Sequence, residues 1–183
     1  SNATVLRKNI TLFFTTLSVK GLSDGNVKRI MEAGHMSVPA ILKMSIADFL
    51  NVDGFKIKMA ENLYSSIQEK ISSATISEFM TASNIFGRGL GKKKMDMIIN
   101  SIPNIFSKPS TPSALVDQLT SVNGIAIKSA QLFVSKIDEF IAFMRECNLE
   151  HKLLVPIPSK IDTAPIPDTI LSHILYGKRI VFT

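Results

Sequence analysis

The chain has 183 residues, of which 45% are apolar, and a formal charge of +6. Its single cysteine, Cys147, excludes a disulfide framework and a cysteine-rich zinc site, and no apolar run approaches the ~18 residues of a membrane span. These features describe a folded, soluble, intracellular protein with one good core or two small ones, whose basic balance suits polyanionic partners without specifying a fold.

Ser1-Asn2-Ala3 reads as an expression scar, and residues 1–3 are set aside. From residue 4 to 154 the pattern is helical nearly throughout, which makes the expected fold class all-α. Residues 10–17 are partly apolar, but they are interrupted by threonines and too short for a signal peptide. The turn Gly21-Leu22-Ser23 is followed by Val27, Ile30 and Met31 at helical intervals. Short helical candidates cover 38–43 and 46–51, the second with Ser45 as N-cap. Gly54-Phe55-Lys56 leads into Met59, Leu63 and Ile67, with Ala60 and Tyr64 beside them. A further candidate at 76–82 precedes Gly89-Leu90-Gly91, after which Met95, Ile98 and Ile99 form a stripe. The stretch 107–112, with Pro109 and Pro112, reads as a loop, and 113–121 as a helix. Gly124-Ile125-Ala126 then opens Ile127, Ala130, Phe133, Val134 and Ile137. Cys147 lies in an apolar-periodic stretch and reads as a buried small hydrophobe. Residues 155–168 carry Pro156, Pro158, Pro165 and Pro167 and read as a Pro-rich linker. Residues 169–183 hold a short helical candidate and a β-rich end whose lone strand needs partners, so they read as the start of an incomplete domain.

The first glycines of the four turns, Gly21, Gly54, Gly89 and Gly124, are about 33 to 35 residues apart, the period of a repeated supersecondary unit. An apolar residue stands two before the glycine in three units (Val19, Val52, Val122), Gly87 takes that place in the third, and another apolar residue follows each glycine. This is the pattern of a helix-hairpin-helix, in which a tight turn aims a helix N-terminus, with its unsatisfied N–H groups and partial positive charge, at a phosphate. The third unit is the fullest site: Gly89 and Gly91 are flanked by Arg88 and by Lys92, Lys93 and Lys94. The second offers Gly54, Lys56 and Lys58, and requires Lys56 to accept the place of a second glycine. The first (Lys20, Gly21, Ser23) and the fourth (Gly124, Ala126, Lys128) read as packing turns at least as much as phosphate sites.

Catalytic constellations are not expected. Asn51-Val52-Asp53-Gly54 is close to the Lys-x-Asp-Gly signature of nucleotidyl transferases, but asparagine replaces the lysine that would attack a nucleotide. His35, His151 and His173 are scattered without metal-ligand spacing, and the glycine-rich stretch 87–92 lacks the spacing of a Walker loop. The aromatic residues are mostly phenylalanines at core-like positions, which argues against base stacking on single strands.

Val52-Asp53-Gly54-Phe55 with Ala60-Glu61-Asn62-Leu63, Arg88-Gly89-Leu90-Gly91, and Val122-Asn123-Gly124-Ile125 resemble the second, third and fourth hairpins of NAD-dependent DNA ligases. In that family four tandem helix-hairpin-helix motifs precede a BRCT domain, and residues 177–183 resemble its first strand. Ser23, Lys56 and Ala126 stand where the family usually carries a second glycine. The resemblance implies a non-catalytic module that is monomeric and holds nicked double-stranded DNA without reading its sequence. The upstream catalytic domains of the same polypeptide, with NAD and magnesium, would seal the nick, and this segment itself would hold no cofactor and no metal. Another repair or recombination protein, such as an excision-nuclease or junction-binding subunit, and a protein-interaction scaffold are the competing expectations.

Overall fold

A computed structural model describes residues 2–87, 89–107 and 111–154. The linker and strand expected at 155–183, the loop at 108–110 and Arg88 lie outside the described residues. The helical pattern resolves into α1 (Asn2–Thr16), α2 (Asp24–Glu32), α3 (Val38–Leu42), α4 (Ile46–Leu50), α5 (Ile57–Ser73), α6 (Ile76–Ser83), α7 (Lys92–Ser101), α8 (Pro112–Thr120) and α9 (Ile127–Glu146), closed by a 3-10 turn at Glu150–Leu153. Among the described residues there is no strand. Helix α1 already includes Asn2 and Ala3, so two of the residues set aside from the sequence form its first turn.

Each helix buries one apolar stripe, and the stripes merge into a single core. Phe13 of α1 meets Phe79 of α6 at 6.3 Å between centroids and Phe143 of α9 at 5.7 Å. Phe86 stacks on Phe133 of α9 at 4.5 Å. Among the described residues these phenylalanines are core residues, as their spacing suggested. Cys147 is buried, and burial together with the charge of Glu146 pushes its thiol up to about 12. The 3-10 turn is tied back across the fold by Lys152, whose ammonium donates to the carbonyls of Ser72 at 2.7 Å and Ala74 at 3.1 Å.

The hairpins pair helices in order: α1 with α2, α4 with α5, α6 with α7 and α8 with α9. The second and fourth are built alike. Asn51 and Ser121 cap α4 and α8, and then the amides of Phe55 and Ile125 donate to the carbonyls of Val52 and Val122 across a four-residue turn. Gly54 and Gly124 take φ of 83° and 90° at the third position of that turn, which an L side chain adopts only with strain. Arg29 of α2 lies over the first of these turns: a Cβ on Gly54 would stand 3.1 Å from its guanidinium. Met97 of α7 takes the same place over Gly124, at 3.7 Å. The chain thus contains two related two-hairpin halves, and α1 against α6 is the principal helix contact between them.

Candidate nucleic-acid interface

A helix leaves its first N–H groups without partners, and a Ser, Thr, Asp or Asn side chain at the N-cap normally satisfies one of them. This chain uses that device at five helices. The side chains of Ser23, Ser37, Ser45, Thr75 and Thr111 accept from backbone amides at the starts of α2, α3, α4, α6 and α8. At Ser45 and Thr75 the cap is reciprocal, with Asp48 and Glu78 accepting in return. The amide and hydroxyl of Ser45 hold the Asp48 carboxyl below the usual carboxylate range. Ser45 thus has the capping role that the sequence suggested for it.

Three helices do not use it. The N-caps of α5, α7 and α9 are Lys56, Gly91 and Ala126, none of which makes a side-chain cap, and the first turns carry no acidic residue. These are the second helices of hairpins two, three and four. The first intrahelical amides are those of Ala60, Met95 and Ala130, so the three N–H groups before each are unpaired within their helix. Lys56, Gly91 and Ala126 all have extended backbone, with φ/ψ of −111°/170°, −78°/177° and −82°/163°. Any L residue adopts these values. The second position of the turn therefore needs no glycine conformation, and Lys56 and Ala126 present their amides as Gly91 does. Lys56, Lys58, Lys93 and Lys128 are exposed beside these ends.

The third hairpin is wired differently from what its three lysines suggest. Lys92 is held by Asp96 at 3.0 Å, and Ser77 of α6 donates a hydrogen bond to the same carboxylate. Burial pushes the Asp96 carboxyl up, but the hydrogen bonds from Ser77 and Lys92 outweigh it and leave it below the usual range. The hydrogen bond to Asp96 in turn raises Lys92. Lys94 leans toward the carbonyl of Gly89 at 3.5 Å. Lys93 is exposed. In this hairpin the positive φ, 82°, belongs to Gly87, and the buried anchor of the turn is Phe86. A cleft of about 600 Å³ opens beside this turn, lined by Gly87, Leu90, Gly91 and, from α1, Lys8 and Asn9. Lys8 is far from the hairpin in sequence, and no local pattern would have found it. The same holds for Arg29 over the second turn.

The first hairpin is closed. Ser23 caps the amide of Asn26, the Asn26 side chain donates to the Gly21 carbonyl at 2.8 Å, and the Lys20 amide donates to Ser66 of α5 at 3.2 Å. Asp24, in the first turn of α2, pairs with Arg7 at 3.0 Å. A Cβ on Gly21 would stand 2.9 Å from Leu63, so this turn is pressed onto α5. Lys20 and Gly21 thus brace the second hairpin, while Ser23 caps α2.

The stretch 51–54 is built into the second hairpin. Asn51 is the C-cap of α4, and Asp53 and Gly54 form the hairpin turn. Among the described residues no cluster of three His, Cys, Asp or Glu side chains could hold a metal ion, and no helix is long and apolar enough to cross a membrane.

This architecture is that of an all-α, tandem helix-hairpin-helix domain, and residues 13–70 match the family model described as "SAM-like Helix-hairpin-helix tandem". The chain is similar to a DNA ligase of Acanthamoeba polyphaga mimivirus, with 33% identity over 149 residues, which cover 80% of this chain and 23% of the ligase. It is also similar to provisionally named DNA ligases of two invertebrate iridescent viruses. For Invertebrate iridescent virus 3 the identity is 34% over 52% of this chain and 13% of the relative. For Invertebrate iridescent virus 6 it is 27% over 67% and 19%. The match spans less than a quarter of the length of each of these relatives.

Proposed function

We propose that the chain is the duplex-DNA-binding module of an NAD-dependent DNA ligase, holding nicked DNA through backbone phosphates while other parts of the polypeptide perform the chemistry. The observation that carries this reading is the selective absence of caps. Five helices spend a side chain on their N-terminal amides, while α5, α7 and α9 have none, forgoing about 1 kcal/mol at Lys56 and Ala126 and less at Gly91, and keep lysines nearby. An anion placed there receives several N–H bonds and the favourable end of the helix dipole. Similarity to viral DNA ligases makes a phosphodiester the natural anion. Contacts of this kind position a duplex without reading its sequence.

The test is a titration of nicked, intact and branched duplexes at several salt concentrations. Preference for the nicked duplex, little dependence on sequence and a steep loss of affinity with salt are expected. Preference for branched DNA would move the protein to a junction-binding or excision system. Binding insensitive to salt would overturn the phosphate grip. An adenylation domain carrying Lys-x-Asp-Gly upstream in the native gene is expected, and its replacement by an unrelated domain would overturn the ligase parentage.

A further inference from the structure

Hairpins two and four repeat one another at a spacing of about 70 residues, and residues 51–60 and 121–130 share one burial pattern position by position. In both, the large apolar residues of the turn face inward: Val52 and Phe55 in one, Val122 and Ile125 in the other. In both, one large apolar residue faces outward at the same place. Ile57 and Ile127, the first residues of α5 and α9, are 51% and 58% exposed, and each is followed by an exposed lysine, Lys58 or Lys128.

Helix packing does not ask for isoleucine there. The corresponding first residues of α2 and α7 are Asp24 and Lys92, so the position accepts a polar side chain, and a β-branched residue is not a favoured helix former. The surroundings also identify what would cover it. An apolar protein face would bury Lys58, Lys128 and the uncapped amides without partners, at a cost for each. A phosphodiester satisfies those groups and brings a sugar ring with it, and in DNA that ring presents a methylene where RNA carries a hydroxyl.

We propose that Ile57 and Ile127 are a matched pair of apolar contacts to the deoxyribose rings flanking the phosphates held by α5 and α9. This rests on the DNA-binding reading above and extends it from charge to the sugar. It gives the fourth hairpin the same standing as the second.

The test compares the full chain with the double variants Ile57→Ser/Ile127→Ser, Ile57→Leu/Ile127→Leu and Lys58→Gln/Lys128→Gln, by fluorescence anisotropy on one nicked DNA duplex across a range of salt. The serine variant is expected to bind about tenfold more weakly with an unchanged salt slope, because apolar contact is lost and no charge is altered. The leucine variant should stay within about twofold of the parent chain. The glutamine variant should lose both affinity and slope, by about one unit of slope per lysine. A serine variant that binds like the parent, or a leucine variant as weak as the serine one, overturns the sugar contact and leaves the phosphate grip intact. If the unsubstituted chain shows no salt-dependent binding to the duplex, the DNA reading itself falls.

Discussion

The first hairpin and the fourth share a turn built around a glycine with positive φ, yet their electrostatic ends are opposite. At the first, Ser23 and the Asp24–Arg7 pair fill the helix start, and the Lys20 amide is given to Ser66. At the fourth, Ala126 caps nothing, no acid stands in the first turn, and Ile127 and Lys128 are exposed. The same backbone device is thus capped and braced by side chains in one place and left with uncapped amides in the other. What separates them is the side chain at the N-cap and the charge just after it, because the turn glycine shapes both alike. Hairpins one and four thus repeat the geometry of the turn, and what differs between them is decided by one or two residues per copy.

The comparison can be broken most directly at the third hairpin. Lys92→Glu with Lys93→Glu and Lys94→Glu should weaken duplex binding on the order of a hundredfold at 0.1 M salt and flatten the salt dependence, as measured by anisotropy. An unchanged affinity would remove this hairpin from the interface. Filling the open ends is the next largest effect. Gly91→Ser with Ala126→Ser installs the missing caps on backbones that already have N-cap geometry, and a Cβ at Gly91 meets nothing within 4 Å. This variant should melt about 2–4 °C higher for each kcal/mol gained, while binding DNA about tenfold more weakly. A gain in stability with binding intact would mean that the uncapped amides are not used. Ser23→Ala makes the reverse exchange: about 1 kcal/mol of stability is lost in denaturant melts, and DNA affinity stays within about twofold.

Much of this was legible in the sequence, for physical reasons that also mark its limits. Local chemistry wrote the helices: apolar residues three and four apart, Ser45 before α4, and glycine where the turn needs positive φ. What it ranked differently is the fourth hairpin, because Ala126 in place of a glycine looks like a defect until its extended backbone shows that glycine was not needed there. The residues that press on the first hairpin, Ser66 and Leu63 of α5, come from about 45 residues away, beyond the reach of a local pattern. Lys8 and Arg29 stayed invisible for the same reason. Their role depends on which helix crosses which turn, and no periodicity within α1 or α2 carries that information.

The smallest expected effect tests the relation between the two halves. Arg29 over Gly54 and Met97 over Gly124 hold equivalent places, yet only one is charged. If the turns they cover lie against phosphates, Arg29→Met should cost about two- to threefold in affinity and lower the salt slope by about one unit, and Met97→Arg should do the opposite. Both side chains reach the turn with their far ends, so neither exchange should shift the melting temperature by more than about 2 °C. A double exchange that restores the parent slope would show that the halves are electrostatically interchangeable. A slope that follows Arg29 alone would mean that the duplex lies closer to the second hairpin than to the fourth, and that the repeat is symmetric in backbone and asymmetric in load.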